Sequence, residues 1–227
     1  NEVDNLPTLF SELQDAIHEM SGECCIIFVD DHSTDGSDKF LKKLDDEYEI
    51  VTTIRFVNNF GQSAALAAGF QLADSDYVIT MDSDLQNNPA DLLDMINYIP
   101  EYDMVTGMRV NRNDSWIKKF DSRFANAVRN KLSRENIKDT GCSLKIMKTE
   151  YLKKIKMFTG MHRFLPTLMK MEGASVIEIP VTHRARTMGE SKYGTWDRAF
   201  SGLRDLFTIR WMQDRFIKYE ITKENNE

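Results

Sequence analysis

Short apolar runs alternate with amphipathic stretches through the first half of the chain. Cys25-Ile26-Ile27-Phe28-Val29-Asp30 is rich in β-formers and too short for a helix, which predicts a buried strand. Residues 50–57, rich in β-branched side chains, and residues 76–81 read the same way, as do residues 102–106, closed by Gly107. Helical spacing of apolar positions fills the gaps. One helix leads from Asn5-Leu6-Pro7 to about residue 20, and a second runs from the capping turn Asp35-Gly36-Ser37 to about residue 48. A third covers the Ala-rich stretch 63–72, and a fourth runs from Pro89, in a first helical turn, to about residue 99. Strands alternating with helices predict an α/β domain: a Rossmann-like, mainly parallel sheet with helices on both faces, spanning residues 1–217. A helix that opens a doubly wound domain normally follows a strand, so a first strand is expected upstream of Asn1.

The second half breaks the alternation. Residues 115–132 predict a helix with mixed basic and apolar faces, residues 145–155 a short strand and a turn of helix, and residues 163–171 a helix. A strand over 175–181 ends at Pro180, and residues 183–194 form a polar, Gly-containing loop. Residues 195–216 place Trp196, Phe200, Leu203, Leu206, Phe207 and Trp211 at helical spacing, with Arg198, Arg204, Arg210 and Arg215 interleaved. A basic amphipathic helix with aromatic residues suits a membrane interface, and the span 195–217 is read that way here. An ordinary helix packed on the sheet carries the same stripe. The tail 218–227 is expected to be disordered.

Net charge is −7, which argues against general nucleic-acid binding. The acidity is uneven, because residues 109–134 and 183–192 are rich in Arg and Lys, a distribution that suits a phosphorylated substrate. The three cysteines, Cys24, Cys25 and Cys142, form neither a disulfide framework nor a zinc pattern. Cys24 and Cys25 open an apolar run, read as buried thiols in a reducing, cytosolic environment. No apolar run reaches the ~18 residues of a membrane span, and no signal peptide is visible. His18, His32, His162 and His183 show no metal-ligand spacing.

Candidate chemistry gathers at predicted strand ends. Asp82-Ser83-Asp84 closes the run 77–81, where ligands of an open α/β sheet collect. Two carboxylates one residue apart repel each other, and a hard cation such as Mg²⁺ or Mn²⁺, shared with a substrate diphosphate, removes that cost. A solvated Asp turn capping the next helix has the same residues. Asp30 and Asp31 end another strand on the same edge and can accept hydrogen bonds from a base or a ribose, or cap the next helix. Gly61 and Gln62 open a helix whose free N–H groups favour an anion. Arg184, Arg186, Ser191 and Lys192 bring three cations and a hydroxyl into one loop. Such a loop suits phosphate, and a solvated basic loop has the same composition.

Val29-Asp30-Asp31-His32-Ser33-Thr34-Asp35-Gly36-Ser37 resembles the nucleotide-recognition turn of family 2, GT-A-fold glycosyltransferases, and Met81-Asp82-Ser83-Asp84-Leu85-Gln86 resembles their metal motif. Asn59-Phe60-Gly61-Gln62-Ser63-Ala64-Ala65-Leu66, Asp139-Thr140-Gly141-Cys142-Ser143-Leu144 and the loop from His183 to Gly194, with Ser191-Lys192-Tyr193-Gly194, resemble the dolichyl/polyprenyl-phosphate mannosyltransferase group. Asn1-Glu2 resembles the end of the family's first-loop motif, which adds Glu2 to the donor side. The resemblance spans nearly the whole chain, and several motifs in order are far more specific than any one.

The resemblance implies a GT-A domain with a C-terminal acceptor loop. It implies that Asp30 and Asp31 read the nucleoside, and that Asp82, Asp84 and Gln86 hold Mg²⁺ or Mn²⁺, with Asp82 contacting ribose, metal or both. Arg109, Lys118 and Ser122 would lie near the acceptor phosphate, although lysines stand at 118 and 119 where arginines are usual. Arg184, Arg186, Ser191 and Lys192 would grip that phosphate. Asp139 would be a base or a positioning group, and a phosphate acceptor, already anionic near pH 7, needs no strong base. The implied activity is inverting transfer of a hexose from a nucleotide sugar to a polyprenyl phosphate at the cytoplasmic face of a membrane. The sequence is compatible with an oligomer. The same domain acting on a glycan hydroxyl, or a non-catalytic nucleotide-sugar-binding subunit, are the other readings.

Overall fold

A computed structural model describes residues 1–110, 136–185 and 195–217, with backbone only for 195–201 and 203. Helix α1 (Leu6–Glu19) leads to β1 (Ile26–Asp30), α2 (Ser37–Glu47), β2 (Val51–Arg55), α3 (Gln62–Leu72), β3 (Tyr77–Thr80), α4 (Asp91–Ile96) and β4 (Met104–Arg109). Then come β5 (Lys145–Lys148), α5 (Thr149–Leu152), a 3₁₀ turn (Met161–Arg163), α6 (Leu165–Met171), β6 (Val176–Val181) and α7 (Thr195–Arg215). The expected helix over 115–132 and the tail 218–227 lie outside the described residues.

β1 and β2 pair in parallel, and a second sheet runs in the order β3-β5-β4-β6. Only β5 runs against its neighbours: it is antiparallel to both β3 and β4, while β4 and β6 are parallel. The sheet is thus mainly parallel, with one reversed strand inserted between β3 and β4. Alternate side chains of the two central strands sort to opposite faces, as the period of two requires. Met104 and Met147 join Met161, Leu165, Met169 and Ile209 under α6 and α7, whereas Val105 and Ile146 meet Leu92, Met95, Leu144 and Ile179. Burial of each such side chain contributes about 1.5–3 kcal/mol.

Two strand ends differ from expectation. β4 continues through Gly107 because a Cβ there would sit 2.7 Å from Val181 and 2.8 Å from the Cys142 sulfur. The missing side chain is what lets β4 lie close to its neighbours. β6 runs through Pro180, paired with Met108, because it is the edge of its sheet and the absent N–H costs no ladder bond there.

β1 and β3 are the exception to tight burial. β1 is only half-buried until Asp30, and Ile79 of β3 is 39% exposed, whereas Met104, Val105, Ile146 and Met147 are at most 1% exposed. A cavity of about 600 Å³ separates β1 from β3. It also corrects the expectation of buried thiols: Cys24 is half-buried and Cys25 exposed, because the space beside the start of β1 is open.

Candidate active site

The carboxyl ends of β1 and β3 share one edge, and both turns carry backbone strain. His32 (φ 65°) follows Asp30-Asp31, and Leu85 (φ 59°) follows Asp82-Ser83-Asp84. Left-handed conformations are rare for such residues and persist where surrounding structure demands them. In the second turn the Gln86 N–H donates to Asp84 Oδ1 at 3.2 Å, closing the loop on a buried carboxylate. Asp82 lies beside it. Its Oδ1 accepts from Gln62 Nε2 at 3.0 Å, and its N–H donates to the Ser143 hydroxyl, which donates to Asn87.

A small polar cavity gathers Asp82, Asp84, Gln86, Arg109, Ser143 and His183. Burial first, then the Asp84 carboxylate, pushes the Asp82 carboxyl above its ordinary range, while Ser143, Lys145 and Gln62 pull it down. Crowded carboxylates with an amide oxygen alongside form a hard, anionic donor set that a divalent cation would neutralise. Among the described residues no group of three or more His, Cys, Asp and Glu side chains converges on one point. A cation here would take its remaining ligands from substrate oxygens or water, the usual habit of Mg²⁺.

Asp31 and Gly61 meet, but within the fold: Asp31 accepts the Phe60 N–H at 2.6 Å and the Gly61 N–H at 2.8 Å. The amide of Gly61, the residue that caps α3, is therefore already answered by a carboxylate. Asp30 accepts the Ser33 N–H, and its other oxygen lies 3.4 Å from Arg55 Nε. Glu2 holds the start of α1 through its carbonyl and bonds Asn5 with its side chain.

Arg109 and Asp139 form a fork: Nε to Oδ2 and Nη2 to Oδ1, both at 2.8 Å. The Arg109 and Gly141 backbone N–H groups add bonds to the same carboxylate. Gly141 leaves room for this approach: a Cβ there would lie 2.8 Å from Arg109 Nη2 and push the guanidinium aside. Arg184 is anchored too. Its N–H donates to the Gln86 carbonyl at 2.9 Å, and its guanidinium bonds Glu12 of α1 and Asn88. Lys118, Ser122, Arg186, Ser191 and Lys192 lie outside the described residues.

Three contributors escaped the sequence reading. Ser143 and Asn87 brace the acidic turn. Lys145, 2% exposed, sits near Asp82 and Asp139, and burial pushes its ammonium down while those carboxylates oppose the shift. A cation inside the apolar run Leu144-Lys145-Ile146-Met147 was the available signal.

Behind the site, the Ser63 hydroxyl accepts the Gly160 N–H and lies 2.9 Å from His162 Nδ1. Burial, with Arg163 and Lys145 nearby, pushes His162 down to about 4. The unfolded chain protonates this imidazole near pH ~6.5, so between the two values it binds more protons than the folded chain. Stability therefore rises with pH through that window and is lost as pH falls toward about 4. The imidazole keeps some solvent contact, so the discounted effect is on the order of 2 kcal/mol. His162→Gln is expected to flatten the acid slope by that amount in urea midpoints measured across the window.

A family model, "Glycosyl transferase family 2", matches residues 1–156. The chain belongs to glycosyl transferase family 2. Within this family it is 34% identical over 197 residues to an undecaprenyl-phosphate 4-deoxy-4-formamido-L-arabinose transferase of Proteus mirabilis, covering 85% of this chain and 60% of the relative. It is 35% identical over 201 residues to a dodecaprenyl-phosphate galacturonate synthase of Rhizobium johnstonii, covering 86% of this chain and 58% of the relative. The chain thus spans less than two thirds of either relative. The solved mannosyltransferase PcManGT from Pyrobaculum calidifontis, in complex with GDP-Man and Mn²⁺, superposes with a TM-score of 0.60 at 17% identity. That likeness covers 97% of this chain and 63% of the other, and shows the fold, GT-A.

Proposed function

We propose that this family 2 domain is the catalytic part of an inverting, metal-dependent enzyme that moves a hexose from a nucleotide sugar to a polyprenyl phosphate. The observation that carries the reading is the bond from the Arg184 N–H to the Gln86 carbonyl. It sets the head of the basic loop directly against the acidic turn. The polyprenyl-phosphate activities named for both relatives support the acceptor class.

In this reading a phosphate oxygen attacks the anomeric carbon, the bond to the nucleoside diphosphate breaks, and the configuration inverts. Asp82, Asp84 and Gln86 hold Mg²⁺ or Mn²⁺, which supplies charge stabilisation for the departing diphosphate. Glu2, Asp30, Asp31, Gly61 and Gln62 shape the nucleoside side. Arg109, Lys118, Ser122, Arg184, Arg186, Ser191 and Lys192 serve the acceptor phosphate, and Arg184 must exchange Glu12 for that ligand. Asp139 positions Arg109. Its carboxylate already accepts four N–H donors, which suits a reaction that needs no strong base.

In this reading the domain meets its lipid acceptor at a membrane, on the cytoplasmic face. No described helix is long and apolar enough to cross one. α7 instead buries Leu206 and Ile209 in the core and leaves Phe207 and Trp211 each 64% exposed, one turn apart, as the apolar contact.

The test is a donor panel of GDP-mannose, UDP-glucose and UDP-N-acetylglucosamine with polyprenyl phosphate in anionic vesicles and Mn²⁺, read by product mass. One donor is expected to yield a polyprenyl-phosphate hexose. Product only on a glycan hydroxyl would favour the polysaccharide reading. Nucleotide-sugar binding without product from any donor would favour a non-catalytic subunit.

A further inference from the structure

We infer that Glu12 of α1 is a specificity-determining residue: it reserves Arg184 for a dianionic phosphate and turns away phosphate diesters. The role rests on the proposed place of Arg184 at the acceptor phosphate. The Glu12 carboxylate already stands where such an anion would bind. Arg184 Nη1 donates to both of its oxygens, at 2.7 and 2.8 Å, while Nη2 donates to Asn88 Oδ1 at 2.8 Å. The Arg184 and Glu12 side chains are 39% and 27% exposed. An anion from solution or from a bilayer can therefore reach the guanidinium, but only by displacing a carboxylate.

The pair is not what holds this segment of the chain. The Thr182 N–H and hydroxyl both donate to Asp91 at the head of α4, at 2.9 and 2.7 Å, and the Arg184 N–H donates to the Gln86 carbonyl. The backbone is thus fixed on both sides of residue 183 without Glu12. α1 is held separately, through buried Leu6, Leu9, Phe10 and Ale16.

An ion pair this exposed adds little to stability, so its effect falls on what else the guanidinium can bind. A phosphate diester carries one negative charge, as Glu12 does, and exchanging one for the other gains little. A phosphate monoester carries about −1.5 to −2 near pH 7. Its Coulomb attraction to the guanidinium is up to about twice as strong, and two of its oxygens match the planar fork. Glu12 therefore penalises the weaker anion more than the stronger, which is how a competing charge creates specificity. A domain that works on a lipid phosphate meets a large excess of diester headgroups in a phospholipid bilayer. With Glu12 in place they do not occupy Arg184.

The test is binding, without catalysis, to phosphatidylcholine vesicles that carry either phosphatidic acid, a monoester, or phosphatidylglycerol, a diester, at equal surface charge. Co-sedimentation is measured over phosphatidylcholine alone. The parent is expected to bind the monoester vesicles about 5-fold more tightly than the diester vesicles. Glu12→Gln is expected to bind the diester vesicles about 5-fold more tightly than the parent does, erasing the preference. Glu19→Gln, the same charge change at the exposed end of α1, is expected to keep it. Arg184→Gln is expected to lose the preference, and adding Glu12→Gln to it to change nothing further. The parent alone gives a second measurement that needs no variant to fold: inorganic phosphate is expected to release it from phosphatidic acid, and dimethyl phosphate is not. Release at a concentration equal to that of the lipid phosphate assigns the site to free phosphate, and release only in excess assigns it to the headgroup; either supports the role of Glu12. Equal binding of both lipids by the parent, or an unchanged preference in Glu12→Gln, would overturn that role and leave the transfer reading standing. Binding of neither lipid, with no product in the donor panel, would remove both.

Discussion

Asp84→Asn is expected to lower kcat/KM for sugar transfer by about 10³-fold, roughly 4 kcal/mol of transition-state stabilisation. Asparagine keeps an oxygen to accept the Gln86 N–H, so the turn survives while the charge is lost. The like-charge push on Asp82 disappears with it. The metal-free variant should then be at least as stable as the parent, because one of two crowded carboxylates is gone. Added Mn²⁺ should raise the thermal midpoint of the parent but not of the variant. A merely structural Asp84 would give the reverse: lower metal-free stability and an unchanged response to Mn²⁺. Thermal melts with and without Mn²⁺, beside the transfer assay, separate the two.

Arg109→Ala is expected to cost about 3 kcal/mol of stability, because it strands Asp139 in a largely buried site. The side chains of the pair are 18% and 11% exposed, so solvent repays little of the loss. For a domain of this size that corresponds to a fall of roughly 6–12 °C in Tm. Replacing both partners, Arg109→Met with Asp139→Leu, is expected to recover most of it, since no unpaired charge remains. Asp139→Asn should lower stability as well, and at a temperature where the variant stays folded its transfer rate should fall no more than about 10-fold. Abolished transfer with an intact melt would instead make Asp139 a base and point to a hydroxyl acceptor.

The elements were legible where local physics decides them. The run 25–30 and the Ala-rich stretch of α3 announce themselves by composition, and Pro7 marks the first turn of α1. What remained hidden depends on distant partners. Nothing local to residues 145–148 says that they insert antiparallel between β3 and β4, because that depends on pairing with residues 77–80 and 104–106. Glu12 looks like any polar-face residue of an amphipathic helix, yet it binds Arg184 across 172 positions. The fork of Arg109 with Asp139 is equally non-local. Cys25 failed in the other direction: its neighbours predict burial, and the open cleft beside β1 exposes it. The acidic turn was the most readable part, because two aspartates with a left-handed Leu85 between them and the next helix, α4, encode their own geometry.

The bond between the Arg184 N–H and the Gln86 carbonyl has a kinetic meaning. A ligand that shifts the backbone at Gln86 also moves residue 184, and a ligand pulling on 184 tugs back on Gln86. Linkage makes such coupling reciprocal, so each substrate would alter the affinity of the other by the same factor. Two-substrate kinetics should then show intersecting lines whose crossing point lies off the axis, the signature of partners that feel each other before any bond is made.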